Sequence, residues 1–111
     1  MSSHKSLYIR DGAFWKLLNG QKKYELRLYR GTIEKLRPGE VVYMLNGSKN
    51  ASNMCKIQSM HIYENFPKLL HALGCSSCLP GHTIISGMNY MDTIYSKEMQ
   101  KKHKVVAIEF Y

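Results

Sequence analysis

The segment from Tyr24 to Tyr29 constrains the fold of this chain more than any other feature of the sequence. Its residues alternate between apolar and polar character with a period of two, which is typical of a strand with one buried face. One face would carry Tyr24, Leu26 and Leu28, and the other Glu25, Arg27 and Tyr29. A strand of this kind is stable only beside other strands and over a core. The segment therefore predicts a sheet that is packed on at least one side.

The rest of the chain predicts further short strands and helices, with turn signals between them. Strands are expected at residues 7–10, 41–45, 54–63 and 105–110, and helices at 13–18, 66–73 and roughly 84–101. Asn46-Gly47-Ser48 predicts a hairpin turn between two of the strands. This order favours a curled, mostly antiparallel sheet flanked by helices. We therefore expect an α+β fold that is mainly β, formed by residues 1–111 as a single domain.

The chain is strongly basic. Its 16 Lys and Arg residues outnumber its 8 Asp and Glu residues, which gives a formal net charge of +8. Such an excess attracts polyanions through long-range steering and counterion release. RNA or a nucleotide is therefore the expected partner, while charge that serves only solubility is the alternative.

The sequence also bounds where the protein is expected to work. It shows no signal-peptide pattern, and no apolar run approaches the ~20 residues that span a bilayer, so no membrane contact is expected. Three cysteines are an odd number, which disfavours a fully paired disulfide framework. A cytoplasmic or nuclear location is therefore predicted. No cofactor is expected, and protein partners stay open.

Gly20, Lys22, Glu25 and Arg27 bring three charged side chains together where a helix is followed by a strand. Gly20 allows the turn, Lys22 lies within it, and Glu25 and Arg27 point to the same side of the strand. Two interpretations remain open. An exposed strand face with a surface ion pair would contribute only about 0–1 kcal/mol to stability. Alternatively, Lys22 and Arg27 hold a phosphate or another polar ligand, and Glu25 orients them or accepts from a base or sugar.

With the spacing GxKxxExR, this segment resembles the signature of the ASCH domain family. The flanking segments are similar to the family as well: Phe14-Trp15 before the motif, and Arg37-Pro38-Gly39-Glu40, Phe66-Pro67-Lys68-Leu69-Leu70 and Tyr95-Ser96-Lys97-Glu98 after it. The resemblance covers nearly the whole chain. It implies a PUA-like β-barrel of about five to six mostly antiparallel strands, flanked by short helices, with a cleft at the motif.

The resemblance also implies a function in RNA metabolism or transcription-related regulation, through binding of RNA or a nucleotide in a basic cleft. Lys22 and Arg27 are then expected to contact phosphate, with Lys23 beside them, and Glu25 to fix Arg27. A protein-interaction domain that has lost its ligand is a further alternative.

A small hydrolase is the catalytic alternative, with Lys22 and Glu25 as the catalytic residues. Some ASCH members resemble amidohydrolases of N4-acylated cytidine that use a Lys, a Thr and a Glu, and others are ribonucleases. Lys22 matches the Lys of the amidohydrolases, whereas Glu25 stands where they have the Thr. No acidic residue lies between Phe66 and Thr83 to serve as their separate Glu.

Two aromatic residues are candidates for stacking on a base, which is how unpaired bases are usually held. Tyr95 would line the cleft from the last helix, or else pack in that helix's apolar stripe. Trp15 lies next to the motif, and its alternative is a place in the core.

His71, Cys75, Cys78 and His82 form the pattern H-x3-C-x2-C-x3-H, which offers four nitrogen and sulfur donors within twelve residues. A tetrahedral zinc ion takes such donors. Structural zinc sites usually draw their ligand pairs from two separate segments, so reduced thiols in a loop after a helix are the alternative. The expected metal content is none, with this cluster as the zinc candidate.

Overall fold

A computed structural model describes residues 5–46, 48 and 51–111. Within them, five strands form one curled sheet: β1 (Lys5–Tyr8), β2 (Tyr24–Leu28), β3 (Val41–Asn46), β4 (Ala51–Tyr63) and β5 (Val105–Phe110). The strand order is β1-β3-β4-β5-β2; β1 pairs with β3 in parallel, and the other neighbours are antiparallel. The predicted mainly β, PUA-like α+β fold is confirmed.

Helices cover the sheet. They are α1 (Asp11–Leu18), α2 (Phe66–Leu73), α3 (Cys75–Cys78), α4 (Ile84–Ile94) and α5 (Lys97–His103), together with a 3₁₀ helix at Gly31–Lys35. In residues 5–46, 48 and 51–111, no helix combines the length and the apolar character that crossing a bilayer requires.

The core lies on both faces of the sheet, and β5 belongs to both halves. Val105 and Ala107 pack into one hydrophobic cluster with side chains of β2, α2 and α4. Val106 and Ile108 point the opposite way, into a second cluster with side chains of β1, β3 and α1. Since alternate residues of a strand face opposite sides, the four consecutive buried apolar residues from Val105 to Ile108 fit a sheet covered on both faces.

The alternation in β2 is confirmed on its apolar side and differs on its polar side. Tyr24, Leu26 and Leu28 all pack into the first cluster, as the pattern predicts. Glu25 on the opposite face is only 7 % exposed. The interpretation of this face as an exposed surface with a solvated ion pair is therefore wrong.

The hairpin between β3 and β4 is confirmed by its register, in which Asn46 lies opposite Ala51. Strand β4 begins three residues earlier than predicted, at Ala51 instead of Met54. Gly47, at the centre of the predicted turn, lies outside the described residues.

The helix predicted over residues 84–101 is two helices. Helix α4 ends at Ile94, and α5 begins at Lys97 with Ser96 as its N-cap residue. The Ser96 side chain accepts a hydrogen bond from the backbone N–H of Met99 at 3.2 Å, which satisfies a donor that the first turn leaves unpaired. Tyr95 has extended backbone angles, so the chain changes direction there.

We predict that Ser96→Ala lowers the free energy of unfolding by about 1 kcal/mol, because the cap of α5 is lost. Urea denaturation followed by circular dichroism measures the change. Ser76→Ala is the matched control, since Ser76 is exposed within α3 and its replacement should leave stability nearly unchanged. Equal stability of the two variants would contradict a capping role for Ser96.

Candidate functional site

A cavity of about 390 Å³ lies between the start of α1, β2, the segment after α3, and α4. Its buried floor is apolar and includes Leu26 and Met91. Its exposed margin includes Tyr8 and Arg10. The volume lies within the ~300–1000 Å³ typical of small-molecule sites.

Lys22 reaches the cavity from the turn after α1. Gly20 has φ +84°, a left-handed backbone conformation that glycine adopts without strain, and the Lys22 N–H then donates to the Lys16 carbonyl at 3.0 Å. The Lys22 side chain is only 6 % exposed. Its Nζ donates to the carbonyl oxygen of Cys78, at the end of α3, and lies 3.8 Å from Glu25 Oε1. A turn residue is thereby fixed as part of the cavity wall.

Glu25 and Arg27 form the second part of this wall. The guanidinium donates twice to Glu25 Oε2, from Nε at 3.0 Å and from Nη2 at 2.9 Å. Arg27 Nη2 also donates to the carbonyl oxygen of Tyr8 on β1. Because β1 and β2 are the two edge strands of the sheet, Arg27 bridges the gap between its edges. The three charged residues of the motif therefore meet in one concave wall.

Burial lowers the pKa of Lys22, because the ammonium has lost most of its water. The nearby Glu25 carboxylate opposes this effect and raises the pKa, but by less. Lys22 therefore gives up its proton more readily than an exposed lysine does.

Two further cations line the cavity from elements outside the motif. Arg10 precedes α1, and its Nη1 donates to the Tyr90 hydroxyl of α4 at 3.2 Å. Tyr90 in turn stacks on the His82 ring, with centroids 5.1 Å apart. Lys16 lies on the same face of α1 as Gly12 and Ala13, which also line the cavity. Arg10 and Lys16 were not predicted as site residues from the sequence; the only signal was the four-residue spacing from Gly12 to Lys16 on a helix.

Comparison with protein families matches residues 7–111 to the ASCH domain. The chain belongs to the ASCH domain family. Among solved structures it is similar to hypothetical protein PH0355, known from a crystal structure, with 27% identity, a TM-score of 0.86 and 97% of each chain covered. It is also similar to protein PF0455 from Pyrococcus furiosus, solved by NMR, with 26% identity, a TM-score of 0.79, and 97% of this chain and 96% of that chain covered. No curated protein matches the chain.

Other candidates from the sequence take different places in the ASCH fold. Tyr95 lines the cavity and also stacks on Phe66, with centroids 5.8 Å apart. Trp15 is 49 % exposed on α1 and does not line the cavity, so it lies neither in the core nor in the site. Lys23 is exposed and lies outside the cavity too; its Nζ is 3.8 Å from Glu109 Oε2 and 5.3 Å from the centre of the Tyr24 ring.

The zinc candidate does not converge. Across the described ranges, no three His, Cys, Asp or Glu side chains are grouped as metal ligands would be. Cys78 is buried, and its pKa is raised to about 11 by that burial. The other members point elsewhere, since Cys75 donates to the Thr83 carbonyl, His82 contacts Ser86, and His71 is exposed.

A second cavity of about 670 Å³ lies between α2, α4 and α5. It is lined by Lys97, Lys101 and Lys104, and also by Glu64 and Asp92. Its charges are therefore mixed. The first cavity has four cationic residues and, among the described residues, one carboxylate, so it is the more strongly positive of the two.

We predict that the stability of this ASCH domain depends on pH through Lys22. The folded-state pKa lies below the ordinary 10.5, so between these two values the unfolded chain holds the proton that the folded protein has released. The free energy of unfolding should therefore rise with pH in this window, relative to that of Lys22→Met. The slope is at most ~1.4 kcal/mol per pH unit.

Urea titrations of both proteins from neutral pH to just below 10.5 measure this difference. Lys102→Met removes an exposed lysine and serves as control. The difference in free energy of unfolding between the wild type and Lys102→Met should not change with pH. If the difference in free energy of unfolding between the wild type and Lys22→Met is also independent of pH, the pKa of Lys22 is not lowered in the folded protein.

Proposed function

We propose that this ASCH domain binds RNA or a nucleotide in the cavity beside β2. The observation that carries the proposal is the cavity's charge: Arg10, Lys16, Lys22 and Arg27 line it, and Glu25 is the one carboxylate among the described lining residues. Charged groups fixed in a concave site attract an anionic ligand more strongly than charges dispersed over a surface.

The rest of the lining suits a nucleotide. The apolar floor at Leu26 and Met91 and the aromatic side chains of Tyr90 and Tyr95 offer surface to the face of a base. Polar donors on the motif wall complement the acceptors of a base or sugar. A protein-interaction domain without a ligand would not need this many polar side chains around a cavity. This supports ligand binding over a protein-interaction role.

Binding is tested with a short, fluorescently labelled single-stranded RNA of mixed sequence, by anisotropy at several salt concentrations. We expect the logarithm of the affinity to fall linearly with the logarithm of the salt concentration, with a slope of about 0.7 per phosphate contact. Lys22→Gln and Arg27→Gln should each weaken binding roughly tenfold, the size of one lost charge-assisted contact.

Lys68→Gln and Lys102→Gln are the controls, because both lysines are exposed and neither lines the cavity. Circular dichroism confirms that each variant is folded. Equal losses at all four positions would show that binding follows net charge and is not directed to the cavity.

A second candidate, hydrolysis of a modified nucleoside or of RNA, is favoured by the state of Lys22. An amine with a lowered pKa is a better general base near neutral pH, and the Glu25 carboxylate, with Oε1 3.8 Å from Nζ, stabilises the ammonium once Lys22 has taken up a proton. In this scheme Lys22 takes the proton of a water molecule as its oxygen attacks the amide carbon of N4-acylated cytidine. The bond to N4 then breaks, and the amine leaves with a proton.

Incubation with N4-acetylcytidine and with single-stranded RNA, followed by chromatography, tests this candidate. If it is correct, the wild type releases cytidine and acetate or cleaves the RNA, and Lys22→Ala does neither. Turnover that survives in Lys22→Ala would remove Lys22 from the mechanism. An inactive wild type on both substrates leaves binding as the function.

A further inference from the structure

We propose that Arg10 and Lys16 form a phosphate subsite at the margin of the cavity, so that its ligand is a nucleoside carrying a phosphate. This inference rests on the proposed binding of RNA or a nucleotide, and it names which cations receive the phosphate. It assigns the motif residues Lys22 and Arg27 a different task from the one that the sequence suggested.

The motif cations of the cavity are already paired within the protein. Lys22 and Arg27 share the carboxylate of Glu25, so this part of the wall carries one net positive charge from three ionised groups. Their donors also serve the carbonyl oxygens of Cys78 and Tyr8. An incoming phosphate would have to compete with a carboxylate fixed 2.9 Å from the Arg27 Nη2 atom.

Arg10 and Lys16 are not neutralised in this way. Over residues 5–46, 48 and 51–111, neither of them forms a salt bridge with a carboxylate. The acid next to Arg10 in sequence, Asp11, accepts a hydrogen bond from Ser48 and does not line the cavity. These two cations keep their full charge for a ligand.

The Arg10 guanidinium is also held in place. Its Nη1 donates to the Tyr90 hydroxyl, and the His82 ring stacks on the Tyr90 ring. A guanidinium that is already oriented loses less conformational freedom on binding than a free one does. Planar guanidinium groups also match the geometry of phosphate oxygens.

Lys16 lines the cavity from α1. It lies one helical turn from Gly12 and Ala13, so the three residues face the cavity together. These two residues form the first turn of α1, where the helix dipole adds partial positive charge to that of the cations.

Exposure separates the two ends of the cavity. Arg10 is exposed and Lys16 half-buried, whereas Lys22 and Glu25 are buried. A phosphate keeps part of its hydration at the exposed end, which avoids most of the cost of burying a charge. The base and sugar then lie toward the apolar floor, within reach of the motif wall.

Calorimetric titration of the wild type with the four ribonucleosides and their 5′-monophosphates tests the proposal. We expect the best-binding monophosphate to bind roughly tenfold or more tightly than its nucleoside at low salt, the sum of two partly solvated charge contacts. The double variant Arg10→Gln/Lys16→Gln should lose this preference, because its affinity for the monophosphate falls much further than its affinity for the nucleoside. The variant Arg10→Lys/Lys16→Arg conserves both charges and should keep most of the preference for the monophosphate over the nucleoside.

The control is Arg30→Gln/Lys102→Gln, which removes the same charge from exposed residues outside the cavity. It should keep the wild-type preference. A trinucleotide RNA with 5′- and 3′-hydroxyl ends separates the two sources of phosphate: loss of its binding in the Arg10→Gln/Lys16→Gln variant assigns the subsite to an RNA chain as well. If the Arg10→Gln/Lys16→Gln variant loses affinity only for monophosphates and not for the trinucleotide, the subsite serves free nucleotides or phosphorylated ends.

The outcomes separate this inference from the proposed function. If the wild type binds neither nucleosides, nucleotides nor the trinucleotide, the proposed function is wrong. If it binds nucleotides but prefers the monophosphate equally in the wild type and the Arg10→Gln/Lys16→Gln variant, binding stands and the phosphate subsite is overturned.

Discussion

The buried carboxylate of Glu25 is the interaction on which the geometry of the cavity depends. It accepts two hydrogen bonds from Arg27, and its other oxygen faces Lys22. Arg27 in turn reaches Tyr8 on β1, and Lys22 reaches Cys78 at the end of α3. One side chain of β2 thereby aligns walls from distant parts of the chain. Cations buried without this countercharge would cost several kcal/mol, so the trio acts as one unit.

The sequence was sufficient to predict the sheet, because strand alternation is a local property. It also predicted that three motif charges meet, since Lys22, Glu25 and Arg27 lie within six residues. Their burial was not predictable, because it depends on a cover from elsewhere. The carbonyl that receives the Lys22 hydrogen bond lies 56 residues further along the chain. Spacing describes which groups are near one another, and tertiary packing decides whether water still reaches them.

The break between α4 and α5 has a similar origin. Apolar periodicity favours one continuous helix there, whereas the buried side chain of Gln100 satisfies the backbone of the break. Gln100 donates to the Tyr95 carbonyl at 3.0 Å and accepts from the Phe66 N–H at 3.1 Å. These bonds tie α5 to the start of α2. Ser96 is a cap signal that the sequence did contain, and it was outweighed by the periodicity around it.

The charged residues of the cavity divide into those that hold its walls together and those that are not paired with a carboxylate. The two motif cations share the carboxylate of Glu25, and their bonds hold β1, β2 and α3 together. The cations that remain free of carboxylates, Arg10 and Lys16, come from a connection and a helix face outside the motif. Residues outside the motif therefore decide how much of the cavity's positive charge stays free of carboxylates, which a motif match alone does not reveal.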